Sequence, residues 1–143
     1  MKAFKLIIAA VMGFMIWLPN ASAEMKKVGP YEVHFSAFES TFLTPEIAKT
    51  YQINRSRYHA VINVSILDTR NANAAIKTPL TGEAKNLLGH NVTLSFKEII
   101  EGNAVYYIDQ LKYSNEETFR FYLVIKTDEG EYPVQFIKKF YVN

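Results

Sequence analysis

The chain carries three histidines and no cysteine, and these residue types decide which metal sites the sequence could form. His34, His59 and His90 lie far apart, and none belongs to the short ligand spacing that zinc sites use. His34 and His59 fall in strand-like segments, so they could meet only across the first two strands of a sheet. We therefore expect surface or partly buried histidines, with no metal and no other cofactor.

Catalytic groupings are equally hard to find. The Gly-x-Ser-x-Gly turn that often holds a serine nucleophile is absent, and the glycines are isolated rather than gathered in a phosphate-binding loop. Paired carboxylates could serve glycoside hydrolysis, but most acidic residues lie in turn-like segments, as Glu101, Glu116 and Asp128 do. We assign no catalytic residue and expect that the protein is not an enzyme.

The segment Thr41–Arg57 offers the best candidate for recognition. It is longer than a hairpin connection needs, and it combines aromatic with basic side chains, which are enriched at protein interfaces. The candidate interaction surface consists of Phe42, Lys49, Tyr51, Arg55 and Arg57. In the alternative interpretation, Phe42, Ile47 and Tyr51 close one end of the fold and the arginines are ordinary surface charges.

The elements that would position these residues are mostly β-strands. Val92, Leu94 and Phe96 alternate with polar residues, which is typical of a strand with one face on a core. Short polar turns with glycine at 101–103 and 128–130 predict two hairpins. We predict about seven strands, a number that favours an antiparallel, immunoglobulin-like, all-β sandwich. They lie near residues 30–37, 57–68, 78–86, 91–100, 104–112, 118–127 and 132–142.

One short helix interrupts this pattern after the first strand. Thr44 is a suitable N-cap, Pro45 suits the first helical position, and Glu46 complements the helix dipole in the first turn. Residues 69–76 are irregular and predict a loop. Pro133 cannot donate a hydrogen bond within a sheet, which places the last strand at an edge.

The N-terminus indicates export. Lys2 and Lys5 precede the apolar run Leu6–Leu18, and Ala21-Ser22-Ala23 ends the segment with small residues. This order is typical of a secretory signal peptide covering residues 1–23, with cleavage after Ala23. The apolar run is shorter than the ~20 residues that a membrane-spanning helix needs. Residues 24–143 then form a single domain that does not span the membrane.

The charge balance of the exported part argues against nucleic-acid binding. Loss of Lys2 and Lys5 leaves 14 basic residues against 14 acidic ones. Proteins that bind nucleic acids usually carry a concentrated basic face. We therefore expect a different class of partner.

Four segments have a recognisable pattern: Phe42–Tyr51, Arg55–Tyr58, Asn86–Gly89 and Glu117–Phe121. With the stretch that starts at Gly29–His34, they resemble domain of unknown function 4426, a family of small exported proteins from Gram-negative bacteria. The resemblance implies a periplasmic, β-rich domain without an assigned catalytic or ligand-binding residue.

Three functional interpretations remain open. The first is a non-enzymatic periplasmic domain that binds an envelope protein or peptide, for example by strand addition at a sheet edge. The second is a carrier of a small molecule or lipid in a cavity lined by Tyr106, Phe119 or Phe121. The third is a small outer-membrane barrel, although seven strands are one short of the smallest common barrel and the C-terminus is not aromatic.

Overall fold

The computed structural model describes residues 23–142, which form ten strands. The predicted signal peptide, apart from Ala23, lies outside the described residues. In chain order the strands are β1 (Glu24–Val28), β2 (Tyr31–Glu39), β3 (His59–Asp68), β4 (Ala74–Ala75), β5 (Leu80–Asn86), β6 (Asn91–Leu94), β7 (Lys97–Glu101), β8 (Ala104–Lys112), β9 (Glu117–Thr127) and β10 (Gly130–Phe140).

The strands form two sheets that pack into a sandwich, with a shared buried core. The larger sheet has the order β1-β2-β3-β8-β7, with β4 paired to β3, and the smaller sheet has the order β10-β9-β5-β6. Neighbouring strands are antiparallel throughout. The predicted antiparallel sandwich is confirmed. Both sheets are open, so the third functional interpretation, which requires a closed sheet, does not describe this fold.

The strand boundaries differ from the prediction at three places. β1 was not predicted, since its three central residues are exposed and show no apolar alternation. β4 is a two-residue strand within the predicted loop 69–76. The predicted strand 91–100 is divided into β6 and β7, which belong to different sheets. Both predicted hairpins are present, as β7–β8 and β9–β10.

The crossing from β6 to β7 closes one side of the sandwich. Leu94 is buried at the end of β6, and the chain then passes to the other sheet through Ser95 and Phe96. The Ser95 N–H donates to Asp109 Oδ2 at 2.7 Å and fixes this corner. A strand that changes sheets is a common way to join the two layers of a sandwich.

The opposite side lies between the edge strands β1 and β10. Pro133 lies in β10, so its predicted edge position is confirmed. Lys26 of β1 reaches across this side: its ammonium group lies 5.2 Å from the centre of the Phe136 ring and donates to the Gln135 carbonyl oxygen. Such inward-pointing charges protect sheet edges from pairing with other chains.

Aromatic rings fill the space between the sheets. Phe35 of the larger sheet stacks on Phe136 with ring centres 4.3 Å apart, and it meets Phe121 at 5.1 Å. All three side chains are almost completely buried. Phe140 stacks on Tyr113 at 4.8 Å near one end of the sandwich. The core is thus closely packed across both sheets.

Gly82 marks a close approach within the smaller sheet. It lies opposite Leu94 on one side and Leu123 on the other. A methyl group added at this position would lie 2.5 Å from Leu123 Cδ2 and 3.2 Å from the Tyr122 carbonyl oxygen. Any larger residue must therefore displace the core.

The predicted helix is present as α1 (Pro45–Thr50), preceded by a 3-10 turn at Ser40–Phe42. Thr44 caps α1, since its Oγ1 accepts from the Ile47 N–H at 3.3 Å. No helix within residues 23–142 has the length and apolar character that crossing a bilayer requires.

Candidate functional site

The segment Thr41–Arg57 lies on the outer face of the larger sheet. Its apolar residues form a second buried cluster there, separate from the core between the sheets. Two cluster members, Phe38 and Val61, are cross-strand partners in β2 and β3. The other buried members are Leu43 and Ala48, with Ile47, Ile53 and Ile108 packed against them. The segment therefore covers a sheet face, whereas the alternative interpretation placed it at one end of the sandwich.

Polar side chains hold this segment in a fixed shape. The buried Ser40 donates from Oγ to the Ser56 carbonyl oxygen at 3.0 Å and accepts from the Ser56 N–H at 2.8 Å. Arg55 donates from Nε to the Leu43 carbonyl oxygen at 2.8 Å and from Nη2 to the Thr41 carbonyl oxygen at 3.2 Å. Arg55 thus ties its own segment together.

Two further contacts attach the segment to β7 and β8. The Gln110 side chain donates to the Asn54 carbonyl oxygen at 2.8 Å and accepts from the Asn54 N–H at 2.9 Å. Lys97 Nζ donates to the Tyr51 carbonyl oxygen at 3.2 Å and to Gln52 Oε1 at 3.3 Å. The segment is thus anchored along much of its length.

Tyr51 is half-buried and directs its hydroxyl toward the end of β7. Its hydroxyl donates to Glu101 Oε1 at 2.5 Å. Burial and the nearby Glu101 carboxylate raise the pKa of Tyr51 to about 12, and the same two causes raise the pKa of Tyr106. A phenol with a raised pKa stays protonated at neutral pH, so neither Tyr51 nor Tyr106 is an activated nucleophile.

Four of the five candidate residues are exposed; of these, Arg55 is bonded to carbonyl groups of its own segment, and the other three form part of an outward group. Phe42 is 55% exposed, and Lys49 is exposed in the last turn of α1. Arg57 is exposed and lies 6.0 Å over the ring of Tyr58, which is itself 47% exposed. Sequence reasoning did not include Tyr58 in the candidate set, although its position beside Arg57 was a signal. The outward group is therefore Phe42, Lys49, Arg57 and Tyr58.

The histidines do not meet. His34 lies opposite Ser65, six residues along β3 from His59, which separates the two by roughly 20 Å. His90 lies in the turn between β5 and β6, two strands of the smaller sheet. Within residues 23–142, no three histidine, aspartate or glutamate side chains converge as metal ligands would.

The residues expected to line a carrier cavity are also separated. Tyr106 follows the inward-facing Val105 and precedes the inward-facing Tyr107, so it lies on the outer face of β8. Phe119 and Phe121 do face inward, but both contact Phe140 at ring distances of 6.1 and 6.4 Å. The packed rings give the carrier interpretation little support.

A second unusual surface lies in the turn between β5 and β6. Leu87 and Leu88 are each 83% exposed. Asn86 fixes the turn, since its Oδ1 accepts from the Leu88 N–H at 3.0 Å and the His90 N–H at 2.8 Å, while its Nδ2 donates to Glu117 Oε2 at 2.9 Å. The one sequence signal for this surface is a pair of leucines between the turn-forming residues Asn86 and Gly89.

Comparison with known families identifies the chain. The model of the family described as domain of unknown function DUF4426 matches residues 25–143. The chain belongs to the DUF4426 family. A crystal structure of a DUF4426 family protein from Pseudomonas aeruginosa has 28% sequence identity to it and a TM-score of 0.74. The similarity covers 85% of this chain and 96% of the other. The resemblance seen in the sequence is confirmed.

More distant solved structures share the fold of this DUF4426 protein. FetP from uropathogenic Escherichia coli strain F11, expressed in the periplasm, has 10% identity and a TM-score of 0.58 over 85% of this chain and 95% of its own. A copper-bound variant of FetP has 11% identity and a TM-score of 0.57, over 84% of this chain and 95% of the other. A search of curated proteins found no match.

Proposed function

We propose that the protein is a non-enzymatic interaction domain of the Gram-negative periplasm that binds an envelope protein or peptide. The observation that carries this proposal is the outward group Phe42, Lys49, Arg57 and Tyr58 on a segment fixed by its own hydrogen bonds. A rigid surface loses little conformational entropy on binding, and aromatic and arginine side chains contribute most at interfaces.

The proposed location rests on the N-terminal pattern. The signal-like residues 1–23 support export. Copper binding by the FetP variant does not enter the proposal, since at 11% identity the likeness concerns the fold alone. The proposed partner is a macromolecule of the envelope.

Site-specific photocrosslinking in living cells tests this proposal. A photoreactive amino acid at Phe42 of the protein expressed at native level should capture one dominant envelope protein. The matched control carries the same amino acid at Tyr122, a half-buried aromatic position on the outer face of the smaller sheet. The Arg57→Ala substitution should reduce the capture at Phe42.

Two results would contradict the proposal. The first is the same capture pattern at Phe42 and at Tyr122, which would mean that the outward group recognises nothing specific. The second is turnover of an envelope substrate by the purified protein, abolished by one point mutation, which would make the protein an enzyme.

A further inference from the structure

The turn that carries Leu87 and Leu88 lies at one end of the sandwich, which we call the loop end. Asn86 is paired with Phe119 near the start of β9, and Phe119 contacts Phe140 at the end of β10. The loop end therefore consists of the turn 87–90, the loop 113–116 and the C-terminal residues 141 and 142. Tyr141 is 53% exposed there.

The rows of the smaller sheet next to this turn are basic. On its outer face, Lys85 is directly opposite Arg120, and Lys139 is opposite Thr118 one row closer to the end. All three cations are exposed. The remaining members of these rows are Thr118, Ile137 and Asn91. The acidic side chains nearby are Glu83, one row further from the turn and bonded to Asn91 at 2.8 Å, and Glu116 and Glu117, at and directly after the loop 113–116.

This arrangement has a cost to the fold. Like charges directly opposite each other destabilise an antiparallel pair, as Lys85 and Arg120 do here. Two leucines held almost fully in water also contribute nothing to the core. An apolar, negatively charged surface covering this end would remove both costs.

From this geometry we infer that the loop end docks on an anionic phospholipid surface, with Leu87 and Leu88 inserted among the lipid chains and Lys85, Arg120 and Lys139 against the phosphates. The leucines protrude from a convex turn, and a bilayer accepts protruding apolar side chains without a matching pocket. Basic residues beside inserted apolar ones are typical of proteins that lie on membranes. The inference concerns a different site from the outward group of the proposed function and does not depend on it.

Vesicle co-sedimentation of the purified processed protein tests the inference. The probes are vesicles that mix phosphatidylethanolamine with phosphatidylglycerol, and vesicles of phosphatidylcholine alone. We expect binding to the first and much weaker binding to the second. The double substitution Leu87→Ser, Leu88→Ser should weaken binding to the anionic vesicles by about 100-fold, since each buried leucine contributes roughly a factor of ten or more. Lys85→Glu should weaken it by at least about fivefold.

Matched controls separate docking from general effects. Ile100→Ser changes a 48% exposed apolar residue on the edge strand β7, and Lys126→Glu reverses an exposed charge at the far end of β9. Neither should alter vesicle binding. Lys85→Glu should also raise the thermal midpoint slightly, because it replaces the like-charge pair with Arg120 by an attractive one.

Three results would overturn the inference. They are absence of binding to the anionic vesicles, unchanged binding of the double serine variant, and equal binding to phosphatidylcholine. If the wild-type protein ignores vesicles while the leucine turn crosslinks to an envelope protein in cells, the turn is a protein contact and the lipid inference is wrong.

Discussion

Replacement of Asn86 by alanine should loosen the turn between β5 and β6 at a measurable cost in stability. The substitution removes two hydrogen bonds that the side chain accepts from the Leu88 and His90 N–H groups, and one that it donates to Glu117. The turn also keeps two backbone hydrogen bonds, between Gly89 N–H and the Asn86 carbonyl and between Asn86 N–H and the His90 carbonyl. The strands should therefore stay paired while the turn loses its internal brace.

The size of the loss follows from the environment of each bond. The Leu88 and His90 donors are exposed, so water replaces part of what is lost and each contributes about 0.5 kcal/mol. The bond to Glu117 is partly buried and charge-assisted, and it contributes about 1–1.5 kcal/mol. We expect the free energy of unfolding to fall by about 2–2.5 kcal/mol in Asn86→Ala.

Urea unfolding monitored by circular dichroism measures this loss. The matched control is Asn115→Ala at the same end of the sandwich. Asn115 accepts one hydrogen bond, from the Val142 N–H at 2.9 Å, so its removal should cost less than about 1 kcal/mol. The urea dependence of the unfolding free energy should be the same in both variants, because unfolding exposes the same surface area in both.

Equal losses in Asn86→Ala and Asn115→Ala would refute this reasoning. A loss below about 0.5 kcal/mol in Asn86→Ala would also refute it, because water would then replace the hydrogen bonds of the Asn86 side chain without a net cost. Asn86→Ala should also weaken vesicle binding, since a loosened turn no longer presents both leucines together.

Three further predictions follow from the core and from Tyr51. In urea unfolding, Phe35→Ala should lower the free energy of unfolding by about 3–5 kcal/mol. Phe42→Ala, at a half-exposed side chain, should lower it by less than about 0.5 kcal/mol. Gly82→Ala should cost about 1–3 kcal/mol in the same assay, because the added methyl group overlaps the core. The pKa of Tyr51 is raised to about 12 from 10.0, so the folded state holds this proton more tightly and its contribution to stability is lost as pH rises from 10 toward 12. Across that pH range, the free energy of unfolding should decrease less for Tyr51→Phe than for the wild type. An equal decrease would contradict a raised pKa of Tyr51.

The strands that could be predicted from the sequence are those whose residues alternate along one buried face. β9 is an example, since its inward residues are buried and its outward residues are polar or half-exposed. β1 has no such signal, because its central residues are exposed and include no apolar alternation, and because its position depends on pairing with β2. The division between β6 and β7 could not be predicted either, because a strand that changes sheets keeps its alternation of apolar and polar residues.

The sequence predicts which residue types the candidate surface contains but not which way their side chains point. The sequence indicates that Thr41–Arg57 is rich in aromatic and basic residues, yet it does not tell which of them face the protein. Tyr51 meets a carboxylate fifty residues away, and Arg55 is bound by carbonyl groups of its own segment. Both outcomes depend on tertiary contacts that no local pattern encodes.

One part of the outward group lies near the loop end, and this proximity has a mechanical consequence. Tyr58 of the outward group is joined to the loop end, since its carbonyl oxygen accepts from the Tyr113 N–H at 2.8 Å and Tyr113 stacks on Phe140. Docking of Leu87 and Leu88 on a bilayer would hold Tyr58 and the neighbouring Arg57 close to that bilayer. A weak protein contact there would then act at the high effective concentration of a tethered site. If the protein uses both surfaces, the double serine substitution at Leu87 and Leu88 should reduce photocrosslinking from Phe42. This is expected although Phe42 belongs to the segment that covers the other sheet. Unchanged crosslinking in that variant would show that the two surfaces work independently.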